Sequence, residues 1–163
     1  MTALKKAGVT PEWVQMGNET PGGMIWPEGS TKHWDQLAQL INKGFDAVKT
    51  VSPRTKVILH IDRGNDNQRF RTWFDNATAN HARYDVIGFS YYPYWLKGSP
   101  DYTRSIDDLG NNLNDMAARY QKEVMVVEVG NEDKKVQDTY DMLIAVQQKV
   151  KAVPGGKGIG VVY

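Results

Sequence analysis

Two acidic residues stand where core packing alone does not ask for them. Glu19 ends the run Gly17-Asn18-Glu19, directly after the apolar segment Trp13-Val14-Gln15-Met16. Glu128 ends a second apolar run, Val124-Met125-Val126-Val127. An unpaired carboxylate is costly to bury, so each needs a partner or a purpose. A pair of carboxyl groups flanking one sugar bond is the machinery of glycoside hydrolysis: one protonates the leaving oxygen while the other attacks the anomeric carbon or activates water. That division of labour wants a raised pKa on the acid and an ionised nucleophile. The plainer alternatives are a solvated turn residue for Glu19 and an ion-paired residue for Glu128. Asn18, beside Glu19, offers an amide that could bond a sugar hydroxyl or hold the acid in place.

Three further groups could serve such a cleft. In His60-Ile61-Asp62 the alternation of an extended chain puts His60 and Asp62 on one side. Two ligands do not make a metal site, so polar contacts to substrate hydroxyls are the other use of this pair. The oxygen-rich stretch that follows, Asp62 to Asn67, lacks calcium-loop spacing and reads as an Asx-type turn leading into a helix cap. The run Ser90-Tyr91-Tyr92-Pro93-Tyr94-Trp95, with Trp26 and Trp34, supplies rings that could stack on the apolar faces of sugars or form a small aromatic core under the loops. Single-stranded nucleic acid would want Lys and Arg among such rings, and residues 88 to 96 contain neither. His33 and His81 have no visible partners and read as surface or capping residues.

These groups need elements to position them. The chain has 163 residues, a formal net charge of +1 and no cysteine. One domain, residues 1–163, with a real core is therefore expected. Disulfides, thiolate nucleophiles and cysteine-ligated metals are excluded, and nothing draws the chain to nucleic acid or an anionic membrane. No apolar stretch is long enough for a transmembrane helix, and the first residues lack the apolar core of a signal peptide. Five segments rich in β-branched residues read as strands: 13–17, 56–61, 85–90, 123–129 and 158–163. Between them run apolar stripes of helical period: Trp34, Leu37, Ile41 and Val48; Phe70, Trp73, Phe74 and Ala77; Leu109, Leu113, Met116, Ala117 and Tyr120; and Tyr140, Leu143, Ile144, Ala145 and Val150. Alternating strands and helices predict a parallel α/β sheet with right-handed crossovers, either a β/α barrel or an open doubly wound sheet. There is no dinucleotide-binding glycine motif or P-loop, and Gly155-Gly156 reads as a turn into the last strand. Five strands do not close a barrel of eight. Thr2 to Ala7 reads as the end of a helix capped by Gly8, and the chain stops on a strand, so a piece of a larger domain is expected, with open edges that favour self-association.

At this point several runs resemble a known family. Gly8-Val9-Thr10-Pro11-Glu12-Trp13-Val14-Gln15-Met16-Gly17-Asn18-Glu19 resembles the acid/base strand of the arabinogalactan endo-β-1,4-galactanases, glycoside hydrolase family 53. Gly23-Met24-Ile25-Trp26-Pro27-Glu28-Gly29 is similar to the loop after it. Ser52 to His60, Arg83 to Trp95 and Asn112 to Ala117 match the segments that follow, in order. The resemblance implies a TIM (β/α)8 barrel of which this chain holds strands four to eight, and retaining hydrolysis of β-1,4-galactan or arabinogalactan by an exported parent protein. It implies that Glu19 is the acid/base and Glu128 the nucleophile. It places Tyr91 where a ring can hydrogen-bond the nucleophile, and Trp26, His60, Asp62, Tyr94 and Trp95 along sugar subsites. No cofactor or metal is implied; the calcium loop of some relatives has no counterpart between Asn131 and Lys135. The chain departs from the family in lacking strands one to three, in ending at Val161-Val162-Tyr163 where the family continues into Trp-Glu-Pro, and in having Val129-Gly130-Asn131 where many members have Thr-Ala-Tyr. Such a fragment is expected to be inactive by itself. The alternatives are a non-catalytic carbohydrate-binding piece using Trp26 and Trp95, and a purely structural piece that pairs with another copy.

Overall fold

In the computed structural model, which describes residues 1–163, five strands lie side by side in chain order and all run parallel. They are β1 (Trp13–Gln15), β2 (Lys56–Ile61), β3 (Val86–Tyr91), β4 (Glu123–Val129) and β5 (Gly158–Val161). The connections are the helices α2 (Trp34–Val51), α3 (Asn67–Ala79), α4 (Ile106–Tyr120) and α5 (Val136–Lys151); a short α1 (Thr2–Lys6) precedes β1. This is the alternating α/β order expected from the sequence, arranged as part of a β/α barrel. No helix is long and apolar enough to cross a membrane.

The two faces of the sheet are built differently. On the outer face Leu59, Ile61, Ile87, Phe89, Tyr91, Val124 and Val126 meet the helices in one core of 24 buried residues. The stripes anticipated for α2, α3 and α4 point into it, except for Val48 of α2, which is buried outside that cluster. The stripe anticipated for α5 does so only in part: Val150 lies in the core and Leu143 and Ala145 pack against it, but Tyr140 is 60% and Ile144 38% exposed, and Met142 and Val146 are the other buried residues. Helix α5 carries apolar residues around more than one face, so periodicity alone does not choose among them.

The inner face holds a separate cluster of Ile58, Val86, Met125 and Val127, flanked by Trp13 of β1 and Ile159 of β5. No helix residue belongs to this inner cluster. Even so, Val86 is fully buried and Ile58 nearly so. Strand neighbours alone cover these residues, so the sheet must curl over them, as barrel strands do. Below the cluster, Lys56 Nζ lies 2.6 Å from a carboxylate oxygen of Glu123. Above it the inner face becomes polar.

One irregularity decides what reaches that polar end. Between β3 and β4 the register shifts after Phe89: Phe89 opposes Val126, but Ser90 opposes Glu128. Strict alternation along β4 would put Glu128 on the outer side with Val124 and Val126. The extra residue turns Glu128 to the inner face and returns Val129 to the outer core. A bulge at the end of a strand re-aims a side chain in this way.

Candidate active site

The site is built around a buried imidazole. His60, on the inner face of β2, has no exposed surface. Gly88 beside it has no side chain, and a Cβ there would stand 2.8 Å from Ile58 Cγ2 and 3.3 Å from His60 Cβ. The missing side chain makes the room that His60 occupies. Burial lowers the imidazole pKa from 6.5 to about 4, against the opposing pull of Asp62. The ring is therefore neutral near pH 7. His60 Nδ1 and Glu128 Oε1 are 3.9 Å apart, and with a neutral ring this is proximity rather than an ion pair.

Glu19 reaches this imidazole from the turn after β1. Its backbone adopts a left-handed conformation, φ 43°, uncommon for a residue with a side chain. The turn is fastened to β2 on several sides. The Glu19 N–H donates to His60 Nδ1 at 3.3 Å, and the backbone N–H and hydroxyl of Thr20 both donate to the His60 carbonyl, at 2.9 and 3.0 Å. The indole N–H of Trp73 donates to the Thr20 carbonyl at 2.8 Å. The Glu19 carboxylate accepts from the Ser90 hydroxyl at 2.7 Å, and Ser90 Oγ lies 2.6 Å from His60 Nε2.

Glu128 flanks the imidazole from β4. Its side chain is 30% exposed, and it accepts a hydrogen bond from the Tyr92 hydroxyl at 3.2 Å. Its pKa is raised, first by burial and then by the negative charge of Glu19, while the Tyr92 hydrogen bond works the other way. The two carboxyl groups thus sense each other across one site. Burial is the first cause of this rise at Glu128, the residue expected to be the nucleophile. The Tyr92 hydroxyl is itself pushed up to about 12 by burial and by the charge of Glu128, so it remains a donor near neutral pH.

Two residue assignments need correction. Tyr91 does not approach Glu128. It is fully buried on the outer face, where its hydroxyl bonds the Tyr102 carbonyl and Ser105 Oγ. Side chains alternate along a strand, so Ser90 and Tyr92 face the site and Tyr91 faces the helices. Nor does His60 line a sugar subsite, because it is sealed from solvent; its contacts are to Glu19 and Ser90. Ser90 and Tyr92 are the residues that sequence reasoning did not assign. The period of two, applied from His60 across to β3, is the signal that picks them out.

The remaining candidates surround this centre. Asp62 lines the cleft with Glu19, Arg63, Asn65, Ser90, Tyr92 and Trp95, a hollow of about 180 Å³. Its carboxylate is gripped by the Arg69 guanidinium through three hydrogen bonds of 2.8 to 3.0 Å. Asp66 caps α3, accepting from the Arg69 N–H, as the turn chemistry of this stretch predicted. Trp95 is 66% exposed and clusters with Tyr92 and Tyr94, its ring centre 4.4 Å from that of Tyr92 and 5.1 Å from that of Tyr94. Trp26 is 64% exposed and lies over Gly22. Asn18 is exposed and accepts from the Gln15 amide. Trp34 is not a cleft residue; it packs edge-on against Trp73 in the core, centres 5.2 Å apart. A larger hollow of about 500 Å³ lies on the outer flank, between Trp34 and α3, away from the paired carboxylates.

Over residues 1–163 the chain matches Glycosyl hydrolase family 53. It belongs to that family. It is 33% identical over 194 aligned positions to an uncharacterized protein of the bgaB 5′ region in Niallia circulans, covering all of this chain and 51% of that protein. An arabinogalactan endo-beta-1,4-galactanase of Thermothelomyces thermophilus is 31% identical, covering 77% of this chain and 38% of the enzyme. Arabinogalactan endo-beta-1,4-galactanase A of Emericella nidulans is 35% identical over 74% of this chain and 35% of its own length. Among solved structures, a fungal beta-1,4-galactanase superposes with a TM-score of 0.83 at 26% identity, covering 97% of this chain and 52% of its own. The family 53 catalytic domain of Ignisphaera aggregans shares the fold, with a TM-score of 0.79. The chain therefore spans between about a third and a half of the length of these curated relatives. Its five strands correspond to part of the barrel in the solved ones.

Proposed function

We propose that this chain carries the two catalytic carboxylates of a retaining endo-β-1,4-galactanase that cuts β-1,4-galactan or arabinogalactan internally, outside the cell where such a polymer is met. The observation that carries this reading is the convergence of Glu19 and Glu128 on one imidazole from two separate strand ends. Family membership and the activity of the fungal relatives support the β-1,4-galactosidic linkage as the bond that is cut. Glu128 attacks the anomeric carbon while Glu19 gives its proton to the departing glycosidic oxygen, which leaves a glycosyl–Glu128 ester. Glu19, now ionised, takes a proton from water. The resulting hydroxide equivalent attacks the same carbon and frees Glu128. Burial disfavours the Glu128 anion in the empty site, but positive charge developing on the sugar ring favours it in the transition state. The Tyr92 hydroxyl holds the attacking group in place.

The experiment is reducing-end release from β-1,4-galactan by a complete barrel that contains this chain, as wild type and as Glu19→Gln and Glu128→Gln. Either substitution is expected to lower turnover by about two to four orders of magnitude or more. Near-normal turnover in either contradicts its role. For Glu128→Ala, added azide should restore turnover with an α-galactosyl azide product; its absence argues against a nucleophile at this position. The exposed rings of Trp26 and Trp95 favour one second reading, carbohydrate binding without cleavage. Galactan binding with no product from a complete barrel that contains this chain would select it.

A further inference from the structure

We propose that His60 and Ser90 are positioning residues for Glu19, forming a directed hydrogen-bond chain that fixes which oxygen of its carboxyl group is free for proton transfer. The inference rests on the acid/base reading of Glu19 above and adds two residues to it. The direction of the chain follows from counting donors. Glu19 Oε1 accepts from Ser90 Oγ at 2.7 Å, which uses the only hydroxyl proton of Ser90. Ser90 Oγ must then be the acceptor in its 2.6 Å contact with His60 Nε2, so the imidazole proton sits on Nε2. That leaves Nδ1 bare, and a bare Nδ1 is what the Glu19 N–H needs at 3.3 Å. The three bonds are mutually consistent in only this tautomer of a neutral ring.

The arrangement holds Glu19 at both ends. The His60 ring anchors its backbone, the His60 carbonyl anchors Thr20, and Ser90 anchors Oε1. Such a clamp offsets the left-handed backbone at Glu19, which an unrestrained turn would relax. It leaves Oε2 as the oxygen on which a transferable proton sits. Geometry this tight is what proton transfer requires. The other charged or titratable groups around Glu19 are Asp62 and Arg63 from the end of β2, Tyr92 from β3 and Glu128 from β4. None of these gives it a hydrogen bond.

The test is nuclear magnetic resonance on the chain itself, labelled with 15N-histidine and 13C-glutamate. The wild type should show His60 as a single Nε2–H tautomer at neutral pH. Ser90→Ala, a mild change at a buried position, should shift both the His60 Nε2 resonance and the Glu19 carboxyl carbon. An Nδ1–H tautomer in the wild type, or a Glu19 carbon unmoved by Ser90→Ala, overturns the proposal. A kinetic arm separates positioning from bulk packing. On aryl β-1,4-galactobiosides, Ser90→Ala should lower kcat/KM about tenfold for poor leaving groups that need protonation, and hardly at all for nitrophenolates that do not. Equal losses across the series count against it. Absence of cleavage by a complete barrel that contains this chain defeats the preceding section, while the resonance measurements on the chain itself still decide this one.

Discussion

The outer and inner faces of the sheet divide the work of the molecule. Outside, 24 buried residues join strands to helices in a continuous apolar core, with Phe70 stacked on Phe89 at 4.3 Å and Trp73 against Phe74 at 4.8 Å. Inside, four buried apolar residues suffice, and the layers above them are given to Gly88, His60, Ser90 and the carboxylates. The outer face supplies stability by area and shape. The inner face accepts a buried histidine, a left-handed Glu19 and a desolvated Glu128, each of which costs stability and is useful only if something is to be bound or transformed there.

Substitutions should expose this division, from the largest effect down. Phe89→Ala removes a fully buried ring from the outer core and should cost about 3–5 kcal/mol in denaturant unfolding; a loss below about 1 kcal/mol would mean the outer core is looser than described. Acid should expose the inner face next. Folded His60 titrates near 4 instead of 6.5, so between those values the unfolded chain takes up a proton that the folded chain refuses. Stability should therefore fall as pH drops from about 6.5 to about 4, by ~3 kcal/mol from this group. His60→Gln should flatten that slope, and a slope unchanged by the substitution would show that His60 is not its source. Gly88→Val fills the space beside His60 and should cost about 1–3 kcal/mol by overpacking, with the His60 resonances displaced. At the small end, Arg119 pairs with Asp75 at 2.9 Å on an exposed flank. Arg119→Ala should change stability by no more than about 1 kcal/mol.

The outer face was largely legible in the sequence and the inner face only in part. Long apolar periods announce α2, α3 and α4 because each has one buried stripe, and the β-branched runs announce the strands. Helix α5 misled because Tyr140 and Ile144 share its apolar pattern yet stand in solvent. Glu19, Asp62 and Trp95 were visible as polar or aromatic residues at strand ends. The exchange of Tyr91 for Tyr92 came from following resemblance where alternation would have served. The bulge opposite Ser90 had no signal at all: nothing in Val126-Val127-Glu128 says that the phase of β4 will slip, and without that slip Glu128 would face the helices. Backbone irregularity set by pairing between strands lies beyond a reading of one strand at a time.

The hydrogen bond from Tyr92 gives a graded check on the Glu128 side. Tyr92→Phe removes the one contact that lowers the Glu128 pKa, which should rise further, and if it stays put the bond at 3.2 Å does not form in solution.

The most direct measurement of the central claim, that two carboxylates from separate strand ends share one site, is the 13C titration of the Glu128 carboxyl in the wild type and in Glu19→Gln. The charge of Glu19 helps to raise the Glu128 pKa, so removing that charge should lower it. A Glu128 titration that does not move would mean the two groups do not face each other, and the paired-carboxylate site would fail with it.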